Sequence, residues 1–564
     1  MTVEQASLPT KIFLRQEGTT SVPVSTVDAI SILLDPNEDE LFRILVDTAE
    51  AFTKGDINLD EWQANPEKRP QTVIIRVAGG WVRDKLVQHY GGEYDVDLAV
   101  EHMSGVQLAR LIQIYVQKYH PQVQASRMGV IAANPAQSKH LETATFRLCG
   151  VDMDLCNLRS HEVYTEDSRI PIVRLGTPLE DALRRDFTVN ALFYNLHSKQ
   201  VEDWTGRGVC DLLSEPLLAT PLEPVQTFHD DPLRILRAVR FAVRLQLPME
   251  DSLQDAARLP EIRHALSVKV SRERFGKELE GMLSGKQARP MEALTTILDL
   301  GLASIVFALP QPGVDKIGEV TGTILDEAFE PGNEGHLNRA WAESKALLSL
   351  SSQFLERYGT FVKPEHVADA RLFPLAVILL PFRKLLYNEA KKSDRYNSAV
   401  GYIIRESIKY KKDDVTAITL ISDYVDTMVG LVEAVETVSR LDAGMLLRSV
   451  RAYWSTTLLL AALLKTRQDA SLDWLTVAKN LYHKIVSDYD LNQCWKTKPL
   501  VNGKILQNFF GKGPVIGLYM QEQVCWMLSN PDGTVEDCLQ HLKQYEPDPV
   551  NEEPKQKKAH ISCT

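Results

Sequence analysis

The chain has 564 residues, 44% of them hydrophobic and 24% charged, with a formal net charge of −12. That length exceeds what one core organises and predicts a few domains, while the acidic balance argues against a protein that coats nucleic acid nonspecifically. Its seven cysteines are scattered without a CxxC pair, the pattern of reduced thiols inside a cell rather than a disulfide or zinc framework. The longest apolar runs, 373–380 and 454–464, fall short of the roughly 20 residues a membrane span needs. The N-terminus mixes Lys11 and Arg15 with Glu4 and Glu17 and lacks a secretory apolar core.

Residues 1–36 are polar and irregular and are expected to form a flexible extension. A helical pattern follows over 40–52. A strand-like run, 73–78, then empties into Gly79-Gly80 ahead of a helix-like stretch, and a second run carries Asp95-Val96-Asp97. Residues two apart on a strand share a face, so Asp95 and Asp97 can grip one metal ion. Oxygen-only ligands suit magnesium, which relieves the cost of two crowded carboxylates. The glycine pair lets backbone N–H groups and a helix N-terminus approach a triphosphate. Further β-forming runs, 143–149 and 151–157, flank a loop at 128–141 whose polar tip contains Asn134-Pro135.

Arg184-Arg185-Asp186-Phe187-Thr188-Val189-Asn190 reads as the start of a helix continuing through Ala191-Leu192-Phe193, with Asp186 and Asn190 on one face. A carboxylate and an amide suit ribose hydroxyls, and arginines neutralise phosphate; an ordinary first helical turn accounts for the same residues. The glycine-punctuated stretch from Asp203 to Leu212 reads as a turn. An amphipathic helix opens behind Asp231-Pro232, with Asp231 as its N-cap, and Asp231 with Arg234 offers an acceptor beside a donor fork that satisfies a base edge. Arginines and lysines gather from Arg234 to Arg289, and again at Lys496, Lys498, Lys504 and Lys512; each strip suits a phosphate backbone and equally a solvated helix face. After Asp230 the β signal fades, and to about Lys543 the chain reads as helical, broken at Pro310–Pro312, at Glu330-Pro331-Gly332 and at Asn530-Pro531.

Taken in order, Gly79-Gly80-x-Val82-Arg83-Asp84 with Asp95-x-Asp97, Arg184-Arg185-Asp186-x-x-x-Asn190, Asp203…Asp211-Leu212, Asp230-Asp231-x-x-Arg234 and Arg274-x-x-x-Glu278-Leu279 resemble motifs A to E of the class II CCA-adding enzymes, the tRNA nucleotidyltransferases. The resemblance covers roughly residues 70–285, and its fourth motif is closest to fungal members, with Asp230 where the family has Glu.

That resemblance implies an α+β, seahorse-shaped molecule. A polymerase-β-like nucleotidyltransferase head (37–222) leads into an all-helical neck (223–290), body (291–440) and tRNA-binding tail (441–544), ahead of a polar terminus (545–564). It implies addition of CTP and ATP to the tRNA 3′ end without a nucleic-acid template. Asp95 and Asp97 would hold Mg2+, with Asp154 preferred over Asp152 as third carboxylate. Gly79, Gly80, Arg83, Arg184, Arg185, Asp186, Asn190 and Arg237 would surround the sugar and phosphates, Asp231 with Arg234 would read the base, and Lys504 with Lys512 would hold tRNA. The 128–141 loop would switch C to A addition. The expected setting is the cytoplasm, with nucleus and mitochondrion as further compartments. A poly(A) polymerase of the same superfamily, an enzyme adding only CC or only A, and an inactive RNA-binding scaffold are the alternatives.

Overall fold

Short runs of Val, Ile, Leu and Phe bounded by glycine and turn residues become the strands of one mixed sheet in the N-terminal half. The computed structural model describes residues 25–26, 32–87, 95–123, 126, 129–131, 143–160, 175–285, 287–314, 316–325, 327–359, 361–362, 369–390 and 392–547. Most of the expected N-terminal extension, the polar terminus and the 128–141 loop fall outside these residues. The chain divides into two compact units, Met1–Ala265 and Leu266–Thr564.

In the first unit the strands are β1 (Ser25–Thr26), β2 (Ile75–Ala78), β3 (Val96–Val100), β4 (Gly129–Ile131), β5 (Thr143–Leu148), β6 (Val151–Asn157), β7 (Leu192–Asn195) and β8 (Gln200–Asp203). Their order across the sheet is β1-β8-β7-β2-β3-β6-β5-β4. β3 and β6 run parallel, whereas the other pairs are antiparallel. The helix Pro36–Lys54 contains the run 40–52 that the pattern predicts and starts four residues ahead of it. Asp35 accepts the Glu38 N–H, Glu38 reaches back to Asp35, Pro36 stands at the first helical position, and Gly55 closes the C-terminus. Buried Glu38 then ties two helices together. It accepts from Trp81 Nε1 at 2.8 Å and from Lys85 Nζ at 2.6 Å, so the helix Gly80–Leu86 that follows the glycine turn is fixed at its far side.

The second unit is mostly helical, but the expectation of helix throughout is corrected by a four-stranded sheet. Its strands are β9 (Ile317–Ile324), β10 (Glu327–Ala328), β11 (Leu385–Glu389) and β12 (Lys392–Ser398), in the order β10-β9-β11-β12. Ile317, Val320 and Ile324 of β9 are buried while Glu319 is exposed, the half-buried pattern of a strand interrupted by Gly318 and Gly322. Helices stop at the proline and glycine breaks: Glu334–Tyr358 starts after Gly332, and Val515–Ser529 ends at Asn530. Among the described residues one helix, Lys412–Glu433, is by length and composition long and apolar enough to cross a bilayer. Its Ile418, Ile421, Val425, Met428 and Val432 are buried among neighbouring helices, the pattern of a core helix.

Candidate active site

Strand register assembles the carboxylates. In the parallel pair, Asp97 of β3 stands level with Asp154 of β6, while Asp152 lies two residues off and reaches Arg147 at 3.9 Å across to β5. Asp97 is exposed between buried Val96 and Leu98, and Asp95 is exposed on the same face. Although Asp97 keeps an edge open to solvent, the protein packed around its carboxyl strips away part of its hydration, and this, followed by the Asp154 and Asp95 charges, holds it above its ordinary range against the pull of Arg185. Burial and the charges of Asp95 and Asp152 do the same to Asp154. Among the described residues no three carboxylate, histidine or cysteine side chains are already gathered tightly enough for an ion. What brings Asp95, Asp97 and Asp154 together is the backbone register, and the set they offer is all-oxygen, crowded and mutually repulsive, which fits a hard divalent cation.

The β2–β3 pairing sets Val77 opposite Leu98. One step further along that register, Ala78 comes level with Asp97, so the Gly79-Gly80 turn opens directly beside the carboxylates. Gly79 has φ 72° and ψ −122°, a conformation that disfavours any residue with a Cβ, and an added Cβ would lie 3.0 Å from Arg185 Nη1. Trp81 and Val82 anchor the following helix in the core.

Arg184 and Arg185 close the helix Pro178–Leu183 rather than opening a new one, which corrects the sequence expectation; Thr188–Asn190 is a single 3₁₀ turn and Leu192 already begins β7. The β-forming Phe193-Tyr194 pairs with β2 and β8, and this tertiary pairing overrides the helical spacing of Asp186 and Asn190. A residue that sequence reasoning missed governs the arginines. Asp181 accepts from Arg184 Nε at 3.0 Å, from Arg185 Nε at 3.0 Å and from Arg185 Nη2 at 2.8 Å. Burial opposes its charge, but the two arginines win and hold its carboxyl down at about 2. Its position three and four residues before the arginines was the available signal.

Asp186, Asn190, Arg83 and Arg237 form one buried network. Asp186 Oδ1 accepts from Asn190 Nδ2 at 3.1 Å and Oδ2 from Arg237 Nε at 2.7 Å. Asn190 Oδ1 in turn accepts from Arg83 Nη1, and Arg83 Nε donates to Asp84 at 2.8 Å. Burial works against the Asp186 charge, yet Arg237 and the Asn190 hydrogen bond hold its carboxyl below the usual range. Arg83, 3% exposed, is therefore an internal brace of this network. Arg234, Arg237, Arg240 and Arg244 stand half-buried on the helix Arg234–Leu245, and Arg234 Nη2 donates to the Arg184 carbonyl at 2.6 Å. Asp231 is not that helix's N-cap: Leu233 holds the position, and Asp231 Oδ1 closes the preceding turn by accepting the Leu233 N–H at 3.1 Å.

The Asp203 loop is a built turn rather than a loose one. Asp203 Oδ1 accepts from the Thr205 and Gly206 N–H groups at 3.1 Å each, and Oδ2 from Val209 N–H at 3.0 Å. Thr188 Oγ1 donates to Asp211 at 2.5 Å, fastening this loop to the turn that carries Asn190. In the second unit, Lys504 is exposed in the first turn of the helix Gly503–Phe510 and Lys512 is exposed just past its end, and Asn502 caps that helix by accepting the Lys504 and Ile505 N–H groups. Glu278 of the fifth motif is buried in the helix Arg272–Leu283.

Residues 75–217 match the family model described as the poly A polymerase head domain. Over 528 residues the chain is 30% identical to a tRNA nucleotidyltransferase of Schizosaccharomyces pombe, covering 90% of this chain and 95% of that one. The fold is shared with the Thermotoga maritima CCA-adding enzyme complexed with tRNA, at a TM-score of 0.54 and 18% identity over 91% of this chain and 96% of that one. The mitochondrial CCA tRNA nucleotidyltransferase of Saccharomyces cerevisiae is 35% identical over 503 residues, 86% of this chain and 90% of the yeast protein. On that likeness over most of its length, the chain belongs to the CCA tRNA nucleotidyltransferases.

Proposed function

We propose that this chain adds CCA to the 3′ end of tRNA from CTP and ATP without a nucleic-acid template, releasing pyrophosphate. The observation that carries the reading is the register that sets Asp97 level with Asp154 beside the Gly79 turn and Arg185, in a chain so similar to a CCA tRNA nucleotidyltransferase. Asp95, Asp97 and Asp154 would hold Mg2+, which when bound activates the attacking hydroxyl and neutralises charge on the triphosphate and leaving group. The remaining work falls to the protein's own groups. Arg184 and Arg185 face the phosphates as charged forks, and the N–H groups of the glycine turn approach them closely. Asp186 and Asn190 offer an acceptor and an amide to the ribose. Arg237 orients Asp186, and Arg83 orients Asn190. Asp231 and Arg234 meet the base edge, selecting C and A by hydrogen bonding rather than by pairing with a template. In the second unit, Lys504 and Lys512 would hold tRNA phosphates. Work inside the cell, including the mitochondrion, accords with the name of the yeast relative.

The test is to supply purified protein with tRNA lacking its CCA end and CTP, ATP or both. CTP alone should extend the tRNA by two residues, and both nucleotides by three. The family model's poly A polymerase name raises the second reading, under which ATP alone would give long repeated extension; failure to extend tRNA with any nucleotide leaves the scaffold alternative.

A further inference from the structure

Asp181 belongs to none of the sequence motifs, yet it is the carboxylate on which the phosphate-facing arginines rest. It sits in the helix Pro178–Leu183, whose N-terminus is fixed by a Thr177/Glu180 capping box and by Pro178. Its side chain is 2% exposed, whereas those of Arg184 and Arg185 are 26% and 22% exposed. The carboxylate is thus sealed inside while each arginine side chain keeps part of its surface open to solvent. The two oxygens divide the work: Oδ1 takes Arg184 and also the Arg159 backbone N–H at 3.1 Å, and Oδ2 takes Arg185. Arg185 is held from its other end by the Asn190 carbonyl, to which Nη1 donates at 3.2 Å. Arg184 passes the constraint on, because its own carbonyl receives Arg234 Nη2 at 2.6 Å.

Resting on the nucleotidyl-transfer reading above, we propose that Asp181 is a positioning residue for the incoming nucleoside triphosphate, one carboxylate that sets the spacing of the Arg184 and Arg185 forks and, through the Arg184 main chain, the placement of Arg234. A guanidinium fork recognises phosphate by geometry as well as charge, so its value depends on being held before the ligand arrives. Two neighbouring guanidinium groups also repel each other, and a shared carboxylate lets both stay charged at close range. Asp181 touches neither substrate nor metal ligand in this scheme. It acts on phosphate binding and base choice through the arginines alone.

The experiment is steady-state addition to tRNA by the full chain, wild type against Asp181→Asn, which keeps the shape and removes the charge. The apparent KM for CTP and for ATP should rise by about tenfold to a hundredfold, the scale of a misplaced binding group. The KM for tRNA should stay unchanged, and incorporation of UTP or GTP should rise as Arg234 loosens. A fraction of inactive protein lowers the apparent kcat but leaves KM as it was, so partial misfolding does not imitate the effect. Should Asp181→Asn yield no folded protein, Asp181→Glu carries the test: the charge returns one methylene out of place, and both nucleotide KM values should rise by a smaller factor. Wild-type KM values and nucleotide choice in whichever variant folds, with only Tm and kcat reduced, would make Asp181 a support of the fold and overturn the proposal. A wild-type protein that extends no tRNA would instead sink the proposed function, so the two failures are distinguishable.

Discussion

Arg237→Met removes the guanidinium, whose Cζ lies 5.3 Å from the centre of the Phe241 ring, and keeps an unbranched stem, so it takes away the charge that Asp186 depends on. Arg237 reaches Asp186 Oδ2 from Nε at 2.7 Å and from Nη2 at 2.6 Å, with side chains 32% and 9% exposed. Stripping the partner from a buried carboxylate costs several kcal/mol, and the partial exposure of Arg237 discounts this to about 2 kcal/mol at neutral pH. For a unit of this size that is a fall in Tm of about 4–8 °C. The pH dependence has a definite sign. In the wild type Asp186 is held below the ordinary carboxylate range, so its stabilisation is present above the unfolded pKa of about 3.9 and is lost as pH falls through the lower native value. In the variant burial acts with less opposition and raises the carboxyl, so the native state is penalised at neutral pH and relieved as acid protonates it. The Tm gap between the two proteins should therefore narrow from pH 7 to pH 4. Calorimetry at both pH values checks this, and a gap that is constant or wider in acid would refute the assignment of Asp186 as a carboxylate held charged by Arg237.

Asp97→Ala should abolish addition of both C and A while leaving tRNA binding intact, measured by product length and filter binding; near-normal turnover would remove Asp97 from the site. Arg234→Ala should lose about 1–3 kcal/mol of discrimination, read as incorporation of UTP and GTP in competition with CTP and ATP. Gly208→Ala would bring a Cβ to 2.6 Å from the Thr188 carbonyl oxygen, and overpacking of this kind costs about 1–3 kcal/mol; a Tm equal to wild type would show that the loop shifts freely. Lys504→Ala with Lys512→Ala should raise the KM for tRNA and flatten its salt dependence without affecting the KM of either nucleotide; an unchanged salt slope would leave this basic turn as plain surface.

Much of the head was legible because its signals are local. Alternation put Asp95 and Asp97 on one face, and the helical pattern over 40–52 marked the first helix. The choice of Asp154 over Asp152 was not readable in the same way, since both share a face of β6 and only the pairing with β3 sets Asp154 level with Asp97. The helical spacing from Asp186 to Asn190 misled for a related reason: Phe193 and Tyr194 gain more by joining the sheet than the segment gains by continuing a helix. Asp181 escaped notice because the arginines were read forward toward the phosphate and not backward along their own helix. β9 was hidden by Gly318 and Gly322, which weaken a strand pattern in sequence but are accommodated once Gly322 pairs with Leu385 of β11.

The parallel alignment of β3 with β6 also gives the head a kinetic character. Sequence-adjacent antiparallel strands such as β5 with β6 and β7 with β8 can zip from a hairpin, whereas β3 and β6 meet only after the intervening chain, including the helix Gly105–Tyr119 and β5, has closed a long loop between them. Asp97 and Asp154 are 57 positions apart in sequence, so the carboxylates converge in a non-local step of folding. A growing chain emerging from the ribosome carries the glycine turn and the first two aspartates well before it can align the third. Competence for chemistry consequently waits on the alignment of β3 with β6, and recovery of activity after denaturation reports that docking more directly than the return of helical signal does.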